Sequence, residues 1–363
     1  MPRSRASWLD LALSAALLTA LTACSTASGT PGARPTPLPQ PTTTTSPRLP
    51  SPPAHSSPST PITLAFGGDT HADGRSRTAL TRSGLDDIAP VLRDADLTMV
   101  NLETAITTRG TAAHKQFTFR APPVLLTRLL AAGVDVVTAA NNHGRDYGQV
   151  GLDDTLAAEK TTGMPIVGIG ANAREAFAPF RVTIRGVRVS VLAATQVLDA
   201  ELASSWTATD THPGLASAQD PSRLLAAVRA ARKTSDLVVV YLHWGTELVT
   251  CPTERQRSIA AALRDAGADV IVGSHAHRLL GAGRLGNAYV DYGLGNFIFS
   301  TGGGPGATTG VLKLTVAARK VVKEQWIPAV IAGGVPHPVH GAQATRQLAS
   351  WHALRDCTDL KAV

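Results

Sequence analysis

Apolar and polar positions alternate along this chain in two rhythms. Short, unbroken runs of Val, Ile and Leu recur, and each ends in glycine, carboxylate, amide or imidazole. They include Ile62-Thr-Leu-Ala-Phe-Gly-Gly-Asp69-Thr-His71, Leu97-Thr-Met-Val-Asn101-Leu-Glu103 and Val134-Asp-Val-Val-Thr-Ala-Ala-Asn-Asn142-His143. Two more follow the same rule, Leu237-Val-Val-Val-Tyr-Leu-His243-Trp-Gly-Thr-Glu247 and Asp269-Val-Ile-Val-Gly-Ser-His275-Ala-His277. Helical spacing fills the intervals, over Pro122–Ala132, Gly148–Thr161, Asp220–Lys233 and Thr253–Ala266. An apolar run with no polar face predicts a strand covered on both sides, as in the parallel sheets of α/β proteins. Such sheets carry their chemistry just beyond the carboxyl ends of the strands. With a period of two, both imidazoles of His275 and His277 can point to one side of an extended segment.

Other stretches read differently. Pro165–Gly170 is a short strand, and Phe180–Thr195 alternates strictly enough to predict a hairpin with one wet face. Ala288–Phe299, Gly310–Val316 and Glu324–Ile331 are strand-rich with no helix between them. They are expected to build a second sheet packed on the first.

Composition adds compartment and organisation. Of 363 residues, 44% are hydrophobic and 17% charged, a balance that supports a sizeable core. The formal charge of +7 is scattered, with no run of five basic residues. It suits an anionic surface or substrate, and no nucleic-acid partner is expected. Arg3 and Arg5 precede an apolar stretch, Leu11–Leu21, that ends in Leu21-Thr-Ala-Cys24. This is the layout of a secretion signal over residues 1–24, and its ending resembles a bacterial lipobox. Cys24 would then be the lipidation site, tethering the protein to the cell membrane on its extracytoplasmic face. Residues 25–60 are dominated by Pro, Thr and Ser and cannot bury enough apolar surface to fold, so a disordered stalk is expected. The folded domain is expected over 61–335, with 336–363 packed on it. Cys251 and Cys357 remain as a pair, and outside the cell a disulfide between them is the simplest expectation.

Five strand ends carrying polar groups argue for one site, because parallel strands deliver their carboxyl ends to one edge. Carboxylate, amide oxygen and imidazole without thiolate favour Mn, Fe, Zn or Mg. The number of ligands fits two divalent ions sharing a bridging carboxylate.

Asp-x-His, a mid-chain acid, Asn-His, a lone His and His-x-His, in that order, resemble the calcineurin-like metallophosphoesterase superfamily. More closely, the chain resembles the CapA family of capsule or poly-γ-glutamate synthesis proteins over roughly Pro61–Ile331. Phe66-Gly-Gly-Asp69, Asn101-Leu-Glu103, Phe117-x-Phe119-Arg120-Ala-Pro and Ala140-Asn-Asn-His-x-x-Asp146-x-Gly148 carry that likeness, with His243-Trp-Gly-x-Glu247, Gly273-Ser-His-x-His277 and Asp291-Tyr-Gly-Leu-Gly-Asn296-Phe. The resemblance implies an α/β fold, a four-layer αββα sandwich of two mixed β-sheets flanked by helices, with two divalent metal ions (Mn, Fe or Zn) at the strand ends. It implies that Asp69, His71 and His277 hold one ion and Asn142, His243 and His275 the other, with Glu103 between them. It also implies that His143 is the general acid that protonates a leaving oxygen. Arg120, Asn101 and Arg145 are candidates for substrate contact, the arginines because guanidinium pairs with phosphate and carboxylate in two-pronged fashion. An ordinary surface charge is the alternative for each arginine. Asp146, Glu247 and Asn296 are expected to orient imidazoles. A salt bridge suits the two acids almost as well, and a turn in a Gly-rich loop suits Asn296 and Asp291.

Two functions follow. One is a membrane-anchored, metal-dependent phosphoester hydrolase in capsule or envelope metabolism. The other is a non-hydrolytic accessory protein for the synthesis, export or anchoring of an anionic envelope polymer.

Overall fold

The computed structural model describes residues 60–363. Cys24, the 1–24 signal and the 25–60 stalk, apart from its last residue, lie outside the described residues. In chain order the principal elements are β1 (Ile62–Thr70), β2 (Leu97–Leu102), α1 (Val124–Ala132), β3 (Val136–Thr138), α2 (Gly148–Thr162) and β4 (Ile166–Val167). There follow β5 (Phe180–Ile184), β6 (Val187–Thr195), α3 (Ser222–Arg232), β7 (Leu237–Trp244), α4 (Glu254–Ala266) and β8 (Val270–His275). The carboxyl-terminal part supplies β9 (Ala282–Leu285), β10 (Ala288–Asp291), β11 (Asn296–Ile298), β12 (Thr308–Ala317), β13 (Lys320–Ala332), β14 (Val335–Pro338) and α5 (Gly341–Ala353).

Two mixed sheets form the centre. The first is eight-stranded, in the order β14-β13-β12-β1-β2-β3-β4, with β11 also paired to β1. The second is six-stranded, in the order β9-β10-β8-β7-β6-β5. Period-two alternation explains how the sheets stack. In β7, Leu237, Val239 and Tyr241 enter the core between the sheets, while Val238, Val240 and Leu242 enter a core shared with α3 and α4. In β1, Ile62, Leu64 and Phe66 face the other sheet, and Ala65 belongs to the core that holds α1. Three apolar seams therefore separate four layers, which is the αββα arrangement expected. Both faces of the central strands are covered, hence the unbroken apolar runs.

Local signals place the helices. Thr253 caps α4 reciprocally with Gln256, and Gly267 ends it at a φ of 109°, a left-handed conformation that a side chain would resist.

Two expectations need correction. The strands after Ala288 do not build a second sheet by themselves. β9 and β10 extend the sheet begun by β5–β8, whereas β11 returns to β1 and leads β12–β14 into the first sheet. Strand pairing over long sequence distances decided this, and periodicity cannot report it. The hairpin's wet face is confined to the edge strand β5, because α3 covers β6. In addition, the 335/336 boundary falls inside β14, which pairs with β13. The segment beyond is tied down by Trp351, which stacks on Trp326 at 5.4 Å, and by a backbone pairing of Lys361 with Arg284.

Cys251 and Cys357 form a disulfide across a separation of 106 residues, with Cα atoms 5.7 Å apart. Closing so long a loop restricts the unfolded chain. Cys251→Ser is therefore expected to lower unfolding stability by about 2–4 kcal/mol in denaturant titrations; equal midpoints under oxidising conditions would show that the bond contributes nothing.

Candidate metal centre

Strand register assembles the site. Asp69 on β1 lies opposite Asn101 on β2 and Asn296 on β11, and Asn101 lies opposite Thr138 on β3. In the second sheet, His243 on β7 lies opposite Ser274, and Trp244 opposite His275, on β8. The Tyr241 hydroxyl donates across the sandwich to the Gly67 carbonyl at 2.9 Å, locking the two sheets where their carboxyl ends meet. Gly68 makes the close approach possible, because a Cβ there would lie 1.8 Å from the Gly295 carbonyl oxygen. That contact keeps the Asp69 N–H on Gly295 O at 2.9 Å.

Two groups of donor atoms result, each with all its atoms within 4.8 Å of one another: Asp69, Glu103 and His243, and Glu103, His275 and His277. Glu103 belongs to both. It is completely buried, and among the described residues neither carboxylate oxygen has a hydrogen-bond partner. His275 Nδ1 is likewise buried and unpartnered. The surrounding distances are those of groups facing a common space. His243 Nε2 is 3.4 Å from Glu103 Oε1 and 2.8 Å from Asn142 Oδ1, and His277 Nδ1 is 3.4 Å from Asp69 Oδ2.

His275 and His277 converge by a route that the sequence did not announce. They do not lie along an extended segment: their φ values are 102° and 52°, in the left-handed region. Each such residue costs on the order of 1–3 kcal/mol and persists only where its surroundings enforce it. Here the His275 N–H donates to Asp69 Oδ2 at 3.1 Å, and the Asn296 amide oxygen holds His277 Nδ1 at 2.7 Å.

The charge balance is that of a cation site. Burial, and then the nearby charge of Asp69, push the Glu103 carboxyl well above its ordinary range. Burial also holds the imidazoles of His71, His243 and His275 below theirs, His71 down to about 3 and His275 to about 4. They are neutral, the form that ligates metal. Burial opposes protonation of His277 too, but the carboxylates of Glu103 and Asp69 outweigh it and raise this imidazole to about 10. Burial would likewise raise Asp69, yet the His277 hydrogen bond and the charges of His243 and His277 hold it low. A buried cluster with an unsatisfied carboxylate and lone-pair nitrogens fits divalent ions.

Beside this cluster, His143 Nδ1 donates to Asp146 Oδ2 at 2.6 Å, and Phe119 packs its ring 4.3 Å from His143 and 4.4 Å from His71. Two neighbours escaped the sequence reading. Asn141 donates to Asn101 Oδ1 and to Leu102 O, both at 2.9 Å, and accepts the His143 N–H. Lys115, nearly buried, lies 3.2 Å from Asp146, 3.1 Å from Asp199 and 5.3 Å from the centre of the Trp206 ring. Asn141 could have been found, since it directly precedes Asn142. Lys115 lies in a loop without period, and only tertiary contact reveals it.

Several expected roles are not matched by geometry. His71 stands beside the donor groups, not within them. Its ring nitrogens face the N–H groups of Asp73 and Ser300, and its ring is wedged between Phe119 and Phe299. The two donor groups therefore combine the residues differently from the expected ligand sets, with Glu103 common to both. Asn101 is fully buried and spends its amide on Asp69 at 2.8 Å and on Asn141, so it orients a carboxylate instead of touching substrate. Arg145 is neither a surface charge nor a substrate contact, because the carbonyls of Ser205 and Pro213 and the side chain of Gln149 occupy its guanidinium. Glu247 orients no imidazole: the chain turns outward at Gly245, whose φ is 95°, and leaves Glu247 exposed. Asp291 accepts the Gly293 N–H in a local turn. Arg120 is exposed and stacks over Tyr147 at 4.8 Å, and Phe117 protrudes nearby in sequence.

A family model for the bacterial capsule synthesis protein PGA_cap matches residues 63–301. The capsule biosynthesis protein CapA of Bacillus anthracis is 31% identical over 293 residues, covering 77% of this chain and 70% of that protein. The PGA biosynthesis protein CapA of Bacillus subtilis (strain 168) is 31% identical over 248 residues, covering 66% of this chain and 64% of that protein. Among solved structures, a novel phosphatase from Mycoplasma pneumoniae superposes with a TM-score of 0.50 at 15% identity, over 75% of this chain and 94% of that one. That likeness concerns the fold. With the matched span covering well over half of its length, this chain belongs to the bacterial capsule synthesis protein family PGA_cap.

Proposed function

We propose that the chain is an extracytoplasmic lipoprotein, anchored through Cys24, that uses two divalent ions to hydrolyse phosphoester bonds in capsule or envelope polymer metabolism. The observation that carries this reading is the buried, unpartnered Glu103, shared by two groups of convergent donors. Asp69, Glu103 and His243 would hold one ion and Glu103, His275 and His277 the other, with the Asn142 amide oxygen against His243. Ions held there would supply the positive charge that activates water and stabilises oxyanions.

The protein's own residues supply the rest. Asp146 fixes the His143 ring by accepting from Nδ1, which leaves Nε2 to hand a proton to a departing oxygen. Lys115 braces the other oxygen of Asp146. Phe119 shields the imidazoles of His71 and His143 from water, which strengthens electrostatic interactions around them. Asn101, Asn141 and Asn296 hold Asp69, the His143 backbone and His277 in place.

A second reading, an accessory protein that handles an anionic polymer such as poly-γ-glutamate, is supported by the relatives' names for capsule and PGA biosynthesis. The basic net charge is consistent with it. Metal without turnover on any phosphoester, together with polymer binding, would favour that reading.

Four outcomes are expected. Gly68→Ala should destabilise the protein by about 1–3 kcal/mol, because a backbone oxygen must move; an unchanged melting temperature would contradict the close approach. Elemental analysis should find divalent metal, and Glu103→Gln should weaken its binding roughly tenfold or more. Binding must also displace protons from Glu103 and His277, both raised, so affinity should climb as pH rises and protons should appear in solution. Finally, His143→Ala should keep its metal yet turn over a phosphodiester about 10²–10⁴-fold more slowly; full turnover would remove His143 from the proton transfer.

A further inference from the structure

Beside the candidate metal centre, beginning at the residue after His277, lies a concavity of about 270 Å³ between that loop, the turn at Gly304–Ala307 and helix α5. Arg278 and Arg346 line it, and among the described residues no Asp or Glu does. Arginines elsewhere on the surface, such as Arg109, Arg188 and Arg223, are held by aspartates. Arg278 instead donates to the carbonyl of its neighbour His277 at 2.8 Å, and Arg346 makes no side-chain hydrogen bond to the described residues. Half of the remaining lining residues are apolar, Leu279, Pro305, Trp351 and Leu354.

This lining has a chemical preference. Two guanidinium groups without carboxylate partners attract anions, and guanidinium matches a carboxylate with two parallel hydrogen bonds. Apolar walls between them reward hydrocarbon spacers and give nothing to a densely hydrated phosphate chain. The concavity also shares its frame with the metal centre. Asn296, which holds His277 through its amide oxygen, donates through its amide nitrogen to Gly306 O at 2.8 Å, and so ties the turn to the site. We propose that this groove is an anchoring subsite for a polycarboxylate chain, gripping carboxylates with Arg278 and Arg346 and methylene segments with Leu279 and Pro305, so that the polymer lies beside the metal centre. The proposal rests on the polymer-directed part of the functional reading.

The test titrates the full-length protein in detergent into a fluorescently labelled γ-glutamate oligomer and follows anisotropy. Arg346 is exposed and outside the donor groups, so Arg346→Glu can be made without touching them. Arg229→Glu makes the same charge change at an exposed position on α3. Saturable binding is expected, weakened about tenfold or more by Arg346→Glu and by no more than about twofold by Arg229→Glu. Undiminished binding by Arg346→Glu, or equal weakening by both variants, would overturn the groove and leave polymer handling standing. Inorganic polyphosphate that competed as well as the unlabelled oligomer would overturn the carboxylate preference. Absence of binding by the wild-type protein would sink the groove together with the polymer reading.

Discussion

A buried carboxylate with no partner among the described residues is the constraint to which the site answers. Glu103 is fully buried with both oxygens unbonded. Ionised, it would cost several kcal/mol there unless a cation compensated it. The neighbouring imidazoles do not all serve as that cation, since burial keeps His71, His243 and His275 neutral. His277 alone is raised, and it is shared between Glu103 and Asp69. Divalent ions would resolve the balance in one stroke, and the two groups of donors that meet at Glu103 are spaced for them.

The fold serves that placement. Two sheets present their carboxyl ends to each other, and residues from both reach one space: Asp69 and Glu103 from the first, His243, His275 and His277 from the second. The backbone bears strain to do it, with two histidines at positive φ, and it leaves no room for a side chain at Gly68 beside the returning Gly295. Local conformation here is set by the site and not by propensity.

Much of this was legible in the chain because burial on both faces of a strand leaves an unmistakable run of Val and Ile. Such a run locates a strand end, and strand ends located Asp69, Glu103, His243 and the His275–His277 pair. What the sequence could not report are the contacts that depend on pairing at a distance. The return of β11 to β1, which splits the carboxyl-terminal strands between the sheets, is one. The outward turn at Gly245 that removes Glu247 is another. Arg145 misled because a charged residue beside Asn142 and His143 looks like a substrate contact, whereas the carbonyls of Ser205 and Pro213, distant in sequence, capture it. Lys115 was invisible for the opposite reason, since its partners Asp146 and Asp199 are distant in sequence.

The most direct test is anomalous diffraction from crystals of the protein grown with zinc. The account predicts strong peaks at about 2.0–2.2 Å from Glu103, one shared with Asp69 and His243 and one with His275 and His277. No peak at Glu103, or peaks held by His71 without Glu103, would contradict it.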